Sequence, residues 1–372
     1  MPAPLTDMLL LATGDSKRVR LLQAARARLA LPPARVLAWR DWLLQPSLLD
    51  TALEQPCWFK IEPPGDDARA HLHLLQEGCK RLDRPPLPAP EYGELLAMDA
   101  WFAGFAAAMD RLSGQLATLP HAQVVNAPAE ICLMTDKLAC QRHLAAHGVP
   151  TPALLGRVNG YDHLQALLAQ HDLDRLYLKP RYGSSASGVV AYRRNRNGRQ
   201  QATTSASIVQ ADGKTRLFNV KRMVRHERAA DITLLVNALA TQELYAEAWL
   251  AKPRCGDHHY DLRALAINGR PAHRVARLGA QMMTNLHLDN QRADADALLN
   301  TADMAALETT VQQAARAFPA SGVTGYDLVV SRGQAHVLEA NAFGDLLPGL
   351  LWQGHDSYAA QLQSQQSLHC HV

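Results

Sequence analysis

Three stretches of the chain carry residues of the right type for phosphate and metal chemistry. The first is Tyr177-Leu-Lys179-Pro-Arg-Tyr-Gly183-Ser184-Ser185-Ala-Ser-Gly188-Val-Val, in which two glycines bracket small hydroxyl residues and a lysine precedes them. Backbone amides free of bulky side chains approach phosphate oxygens closely, and a nearby ammonium neutralises their charge. The Gly-Lys-Ser/Thr order of a Walker loop is absent, and a strand rather than a helix follows. The same residues read equally well as an ordinary flexible hairpin.

The second stretch is a C-terminal hairpin with Arg332-Gly333-Gln334 as its turn. Residues two apart on a strand share a face, so Glu339 and Asn341 project together and pairing brings Asp327 beside them. Three oxygen donors that leave room for water and phosphate suit Mg²⁺ better than zinc. The alternative is two acids solvating an exposed sheet face. Against it, each acid is flanked by apolar residues, Tyr326 and Leu328 for one, Leu338 and Ala340 for the other. The third stretch is Asp261-Leu-Arg263, followed by Arg274 and Arg277. Guanidinium forks at Arg263 and Arg277 suit a transferring phosphoryl group, although arginine on a strand face is more often solvated or salt-bridged.

These residues need strands and loops to hold them. Leu176–Pro180 and Val189–Arg193 read as strands around the glycine loop, and Asp261–Ile267 and His273–Leu278 alternate apolar and polar residues. Gly325–Ser331 and Ala335–Ala342 form the acidic hairpin, and a helix over Ala302–Phe318 precedes it. A strand-like Val124-Val125-Asn126 is followed by Ala127-Pro128-Ala129-Glu130 and then a helix to His147, where Gly148, Pro150 and Pro152 stop it. Another helix covers Asp162–Gln170. Asn195–Arg228 is polar and basic, with strand-like runs Ser207–Gln210 and Arg216–Val220, and Ile232–Leu239 is helical. Near the N-terminus, Met8–Ala12 and Arg35–Ala38 read as strands, and Ser16–Leu29 and Gly93–Ser113 as helices. The Pro-rich run Arg84–Pro90 is a loop. The alternation points to an α/β class with an open N-terminal lobe.

At 372 residues the chain exceeds one ordinary domain, so two or three lobes are expected. With 48% hydrophobic and 20% charged residues it is neither disordered nor membrane-like, and a net charge of +3 selects no partner. No apolar run nears the roughly 20 residues that span a bilayer, and Met8–Ala12 is too short for a signal peptide. The six cysteines form no CxxC pair, which favours a reducing, cytoplasmic setting. His258-His259 and His369-Cys370-His371 read as a polar loop and a frayed end rather than metal sites.

Taken in order, the motifs resemble the ATP-grasp superfamily, in its branch of glutathione synthetases and ribosomal-protein glutamate ligases. The resemblance runs from Thr135-Asp136-Lys137 through Gly148-Val-Pro-Thr-Pro152, Lys179-Pro, the glycine loop, Asp261-Leu-Arg263 and Thr284-Asn285-Leu-His287 to Asp327 and Glu339-Ala-Asn341, covering roughly residues 124–349. It implies an ATP-grasp fold in three parts. These are an N-terminal α/β lobe over 1–123, a central lid lobe over 124–245, and a C-terminal, mainly antiparallel metal-binding lobe over 246–372.

It further implies that Lys137 and Lys179, from two strands, contact ATP. Gly183, Ser184, Ser185 and Gly188 would cover the phosphates, with Asp261 and Asn285 also in the nucleotide site. Glu247-Ala248-Trp249-Leu250 would be the adenine hinge, with Gln242-Glu243-Leu244-Tyr245 as a second register. Asp327, Glu339 and Asn341 would hold Mg²⁺, two ions by expectation, with Mn²⁺ as a substitute. Arg263 and Arg277 would steady the γ-phosphoryl group and the acyl phosphate.

The implied activity is a carbon–nitrogen ligase in which a small-molecule or peptide carboxylate becomes an acyl phosphate and an amine displaces phosphate. A modifier of proteins or ribosomally made peptides is a second reading, and an ATP-binding module without catalysis a third. The basic residues Arg193, Arg194, Arg196, Arg199, Lys214, Arg216, Lys221, Arg222, Arg225 and Arg228 motivate a nucleic-acid binder, which the modest net charge disfavours. No membrane partner is implied, and a homodimer is left open. Gln281-Met282-Met283 replaces an arginine-bearing segment of the glutamate ligases, and the loop Lys252–His259 is long.

Overall fold

The computed structural model describes residues 5–369 except 66, 184–186, 212, 281–283 and 285–290. Ser184, Ser185, Asn285, the Gln281-Met282-Met283 segment, Leu286, His287, Cys370 and His371 therefore lie outside the described residues.

The N-terminal region runs β1 (Met8–Ala12), α1 (Lys17–Arg28), β2 (Arg35–Ala38), α2 (Trp39–Leu44), α3 (Leu48–Ala52), β3 (Cys57–Ile61), α4 (Ala68–Arg81), α5 (Met98–Ala117) and β4 (Ala122–Val124). Its four strands are parallel in the order β2-β1-β3-β4. A parallel sheet needs cover on both faces, and β1 has it. Leu9 and Leu11 face Trp39, Phe59 and Phe105, whereas Met8, Leu10 and Ala12 pack with Val19, Leu22 and Tyr358. Ser16 caps α1 by accepting from the Val19 amide. Strand β3 carries a buried Lys60 in its middle, which breaks the apolar run that sequence reading relies on.

Helices α4 and α5 cross with their backbones in contact. A Cβ on Gly78 would lie 1.6 Å from the Ala100 carbonyl oxygen, and one on Gly104 1.9 Å from that of Leu74. Only glycine permits this approach. The pair fixes the ring-bearing faces of both helices relative to each other.

Two helices follow, α6 (Pro128–Thr135) and α7 (Lys137–Ala146), where the sequence suggests one. Asp136 breaks them: with extended backbone it caps α7 through the Ala139 amide and takes a bidentate ion pair from Arg181, the shortest contact 2.6 Å. Lys137, expected on a strand, thus opens a helix. Gly148 ends α7 in the left-handed region, φ +71. Both helices pack against the C-terminal hairpin, with Ile131, Met134, Cys140 and Leu144 in one core with Val337 and Ala340.

The central sheet comprises β5 (Leu154–Arg157), β6 (Arg175–Pro180), β7 (Val190–Arg194), β8 (Gln200–Ala211), β9 (Lys214–His226) and β10 (Leu244–Ala248), with helices α8 (Tyr161–Gln170) and α9 (Ala229–Ala240). It is antiparallel, ordered β5-β10-β6-β7-β8-β9. The third sheet contains β11 (Arg254–Cys255), β12 (His258–Ile267), β13 (Arg270–Gly279), β14 (Gln291–Ala293), β15 (Val323–Ser331) and β16 (Gln334–Asn341), again antiparallel. Helices α10 (Ala295–Leu298), α11 (Thr301–Arg316) and α12 (Ser357–His369) complete it. Among the described residues no helix is long and apolar enough to cross a membrane.

The expected helix over Gly93–Ser113 begins later, at Met98, because the preceding residues serve another sheet. Leu95 donates to the Leu217 carbonyl at 2.8 Å and Asn219 to that of Gly93 at 2.7 Å, while Arg216 pairs with Glu91 at 2.7 Å and Glu94 at 2.8 Å. The N-terminal region thereby covers the free edge of β9, a common protection for an edge strand. In Arg216→Ala this seam should loosen locally. Amide hydrogen exchange at Leu95 and Asn219 is expected to accelerate while β12 stays unchanged, and equal rates in both proteins would contradict the assignment.

Candidate active site

The register of the third sheet sets charges opposite one another. Arg263 lies across from Asp327, Asp261 across from Arg277, and Asp327 across from Glu339. The result is one chain of alternating ions. Lys252 Nζ sits 2.8 Å from Asp261, Asp261 2.7 Å from Arg277, and Arg277 3.0 Å from Asp327. Asp327 also accepts both Nε and Nη2 of Arg263, the latter at 2.9 Å, and Arg263 reaches on to Asp345. Asp261, Arg277 and Asp327 are all buried.

Burial alone would raise the Asp261 pKa, but Arg277 and Lys252 outweigh it and hold the carboxyl below its ordinary range. For Asp327 burial is likewise overcome, here by Arg263 and Arg277. Lys252 is pushed down by burial, which Asp261 only partly offsets.

Two further ion pairs lie beside this chain. Lys137 pairs with Glu339, and Lys179 pairs with Glu247 at 2.6 Å. Between them the ladder slips. Asp327 faces Glu339 but Leu328 faces Val337, so Leu338 is the extra residue of a β-bulge and its carbonyl is free of the ladder. That carbonyl accepts from Gln141 Nε2 at 2.7 Å and from Lys179 Nζ at 3.3 Å. The bulge therefore ties the acidic hairpin to α7 and to β6.

Lys137, Lys179, Glu247, Ala248, Leu250, Asp261, Arg277, Asp327 and Glu339 line one cavity of about 110 Å³, with Pro152, Tyr177 and Val329 as apolar walls. Trp249 stacks on Tyr177, ring centres 4.6 Å apart and 20° from parallel. The alternative hinge register is employed elsewhere: Gln242 accepts from the Met98 amide at 3.0 Å, and Glu243 pairs with Arg157 at 3.1 Å. Gly183 and Gly188 adopt φ +122 and +72, conformations that L residues rarely take. Asn341 lies opposite Gly325 and borders a second, larger cavity with Glu339. Arg263 is not among the residues lining the smaller cavity; it stands behind Asp327.

Sequence reading missed Lys252, Thr284 as its partner at 2.8 Å, and Tyr177, whose hydroxyl is buried with no hydrogen-bond partner. Nothing in Ala-Lys-Pro-Arg marks Lys252 beforehand. Tyr177 stood within the quoted stretch, but its position two residues before Lys179 on β6, and so on the same face, was the only clue.

Asp327, Glu339 and Asn341 offer hard oxygen donors from the two strands of one hairpin, and the Glu339 side chain keeps 31% of its exposure toward the cavities. That donor set fits Mg²⁺. Its carboxylates are paired with Lys137, Arg263 and Arg277. No cluster of three His, Cys, Asp or Glu side chains that could hold a metal occurs among the described residues.

No family model matches the chain, and no curated protein matches it. Solved structures do match. The D-cycloserine synthetase DcsG aligns over 97% of this chain and 99% of its own, with TM-score 0.57 and 16% identity. The ATP-grasp ligase PsnB, complexed with a minimal precursor, aligns over 97% and 99% with TM-score 0.52 and 14% identity. A biotin carboxylase from Campylobacter jejuni aligns over 97% of this chain and 71% of its own, with TM-score 0.55 and 10% identity. At such identities the likeness is one of fold.

Removing the central acid should leave two buried cations facing each other. Asp261→Asn is expected to cost about 3–5 kcal/mol of stability, measured by urea unfolding; a loss under about 1 kcal/mol would mean the pairs contribute little. Because Asp261 and Asp327 have lowered pKa values in the folded state, the stability they contribute is present above their unfolded value near 4 and lost as pH falls toward the folded one. Unfolding free energy is thus expected to be steady from pH 7 to 5 and to drop below about pH 4. A profile flat to pH 3 would exclude that role.

Proposed function

We propose that this chain, which has the ATP-grasp fold, is an ATP-dependent carboxylate–amine ligase. The observation that carries this reading is the charge lattice of the cleft. Five cations (Lys137, Lys179, Lys252, Arg263 and Arg277) alternate with five acids (Glu247, Asp261, Asp327, Glu339 and Asp345). A site neutral in itself favours a ligand neutral in itself, and ATP with two divalent ions meets that condition.

In the proposed complex the base occupies the slot between Tyr177, Pro152, Leu250 and Val329, with the backbone of Glu247-Ala248-Trp249-Leu250 along its edge. Lys137 and Lys179 would turn from Glu339 and Glu247 to the phosphates, with Gly183 and Gly188 beside them. Asp327, Glu339 and Asn341 would hold Mg²⁺, which would supply positive charge beside the phosphates. A substrate carboxylate oxygen bonds to the γ-phosphorus while the bond to the ADP oxygen breaks. An amine then attacks the acyl carbon, phosphate leaves, and the amine releases a proton. Arg277, and Arg263 through Asp327, keep positive charge beside the transferring group. The protein supplies position and charge rather than a nucleophile.

The basic residues of the central sheet serve less well as a nucleic-acid face. Arg216 is committed to Glu91 and Glu94, Arg225 to Glu227, and Arg228 lies near Asp231. The described cysteines are unpaired, which suits the cytoplasm.

Purified protein with Mg-ATP and pooled carboxylates and amines should release ADP. Glu339→Gln is expected to keep its thermal midpoint and nucleotide binding yet lose ADP release, since an amide cannot balance a divalent ion. Full turnover in that variant would remove Glu339 from the site.

A further inference from the structure

Beside the nucleotide cavity lies a larger one of about 520 Å³, within the roughly 300–1,000 Å³ range of small-molecule sites. Lys137 and Glu339 line both cavities, so the two adjoin at the place proposed for the transferring phosphate. Away from that junction the larger cavity is walled by α4 and α5. Trp101 stacks on Phe105, ring centres 5.2 Å apart and 9° from parallel, and His71 lies against Trp101 at 5.8 Å and 28°. Met98 and Met134 also line it.

The charges around this cavity are almost all engaged. Arg18 is held by Glu62 at 2.9 Å and by the Phe343 carbonyl at 3.0 Å, and Glu94 is held by Arg216. Burial lowers the His71 pKa, which keeps that ring neutral at pH 7. Lys137, paired with Glu339, stands at the junction, and the aromatic recess lies behind it. The Gly78–Gly104 contact locks α4 to α5, so the wall is built before any ligand arrives, which reduces the ordering cost of binding.

Resting on the ligase reading, we infer that this recess selects the carboxylate substrate: an acid with an aromatic or bulky apolar body packed against Trp101, Phe105 and Met98 and its carboxylate at Lys137. Small acids leave the recess unfilled, and a second charge on an acid must be desolvated there or draw Arg18 from Glu62.

The test is ADP release with Mg-ATP, hydroxylamine as a generic amine acceptor, and a graded series of acids: acetate, alanine, glutamate, phenylalanine, 3-phenylpropanoate and leucyl-phenylalanine. At least one aryl-bearing acid is expected to show a kcat/KM about tenfold or more above acetate, alanine and glutamate. Trp101→Ala should raise that acid's KM by about tenfold, with the affinity for ATP unchanged. Preference for alanine or glutamate would overturn the inference and leave the ligase reading standing. An unaltered KM in Trp101→Ala would overturn the inference too. If Trp101→Ala unfolds, Met134→Glu, which places a charge in the recess, provides the second variant and should abolish the preference for the aryl acid. ADP release stimulated by no acid would overturn the inference together with the reading beneath it.

Discussion

Asp261, Arg277, Asp327 and Arg263 sit on three neighbouring strands with their charges turned inward, and each is tolerable there only because of the next. A lone carboxylate or guanidinium at that depth carries a desolvation cost of several kcal/mol. Alternation removes it pair by pair, and the antiparallel register of β12, β13 and β15 is what produces alternation. A one-residue slip of any of these strands would turn its charged residue to the opposite face. The sheet register and the charge lattice therefore specify each other.

Under the ligase reading, the same arrangement would let the cleft receive a polyanion without prior disorder. Lys137 and Lys179 are anchored at their backbones by α7 and β6 and are paired at their tips with Glu339 and Glu247. Moving an ammonium from a carboxylate to a phosphate exchanges one ion pair for another, and the released acid becomes available to a divalent cation. The Leu338 bulge keeps this exchange local by fixing α7, β6 and β16 around a single carbonyl. The N-terminal region closes the molecule from the other side. It covers the β9 edge at Gly93–Leu95 and supplies the aromatic recess through the crossing of α4 and α5.

Strand β1 was legible from its unbroken apolar run and the acidic hairpin from apolar residues flanking its acids, and Asp327, Glu339 and Asn341 could be placed together from strand periodicity. Strand β3 was hidden by Lys60, a buried charge paired with Glu62 two residues on. The break at Asp136 was hidden because α6 and α7 are each good helix sequences, and an aspartate cap inside an apparent helix is revealed only by its pairing with Arg181. Lys252 and Tyr177 escaped for the same reason: a residue's place in a site depends on which strands meet, and that information is non-local. Arg263, expected beside a phosphoryl group, pairs with Asp327 and Asp345 and is not among the residues lining the smaller cavity.

The claim at the centre of this account is that the cleft activates a carboxylate by phosphoryl transfer, and isotope transfer tests it most directly. An acid that stimulates turnover, labelled with ¹⁸O in its carboxylate, is incubated with Mg-ATP and an amine, and the released phosphate is analysed by mass spectrometry. One ¹⁸O atom in inorganic phosphate, with ADP as the nucleotide product, is the result expected. Unlabelled phosphate, or AMP with pyrophosphate, would contradict it.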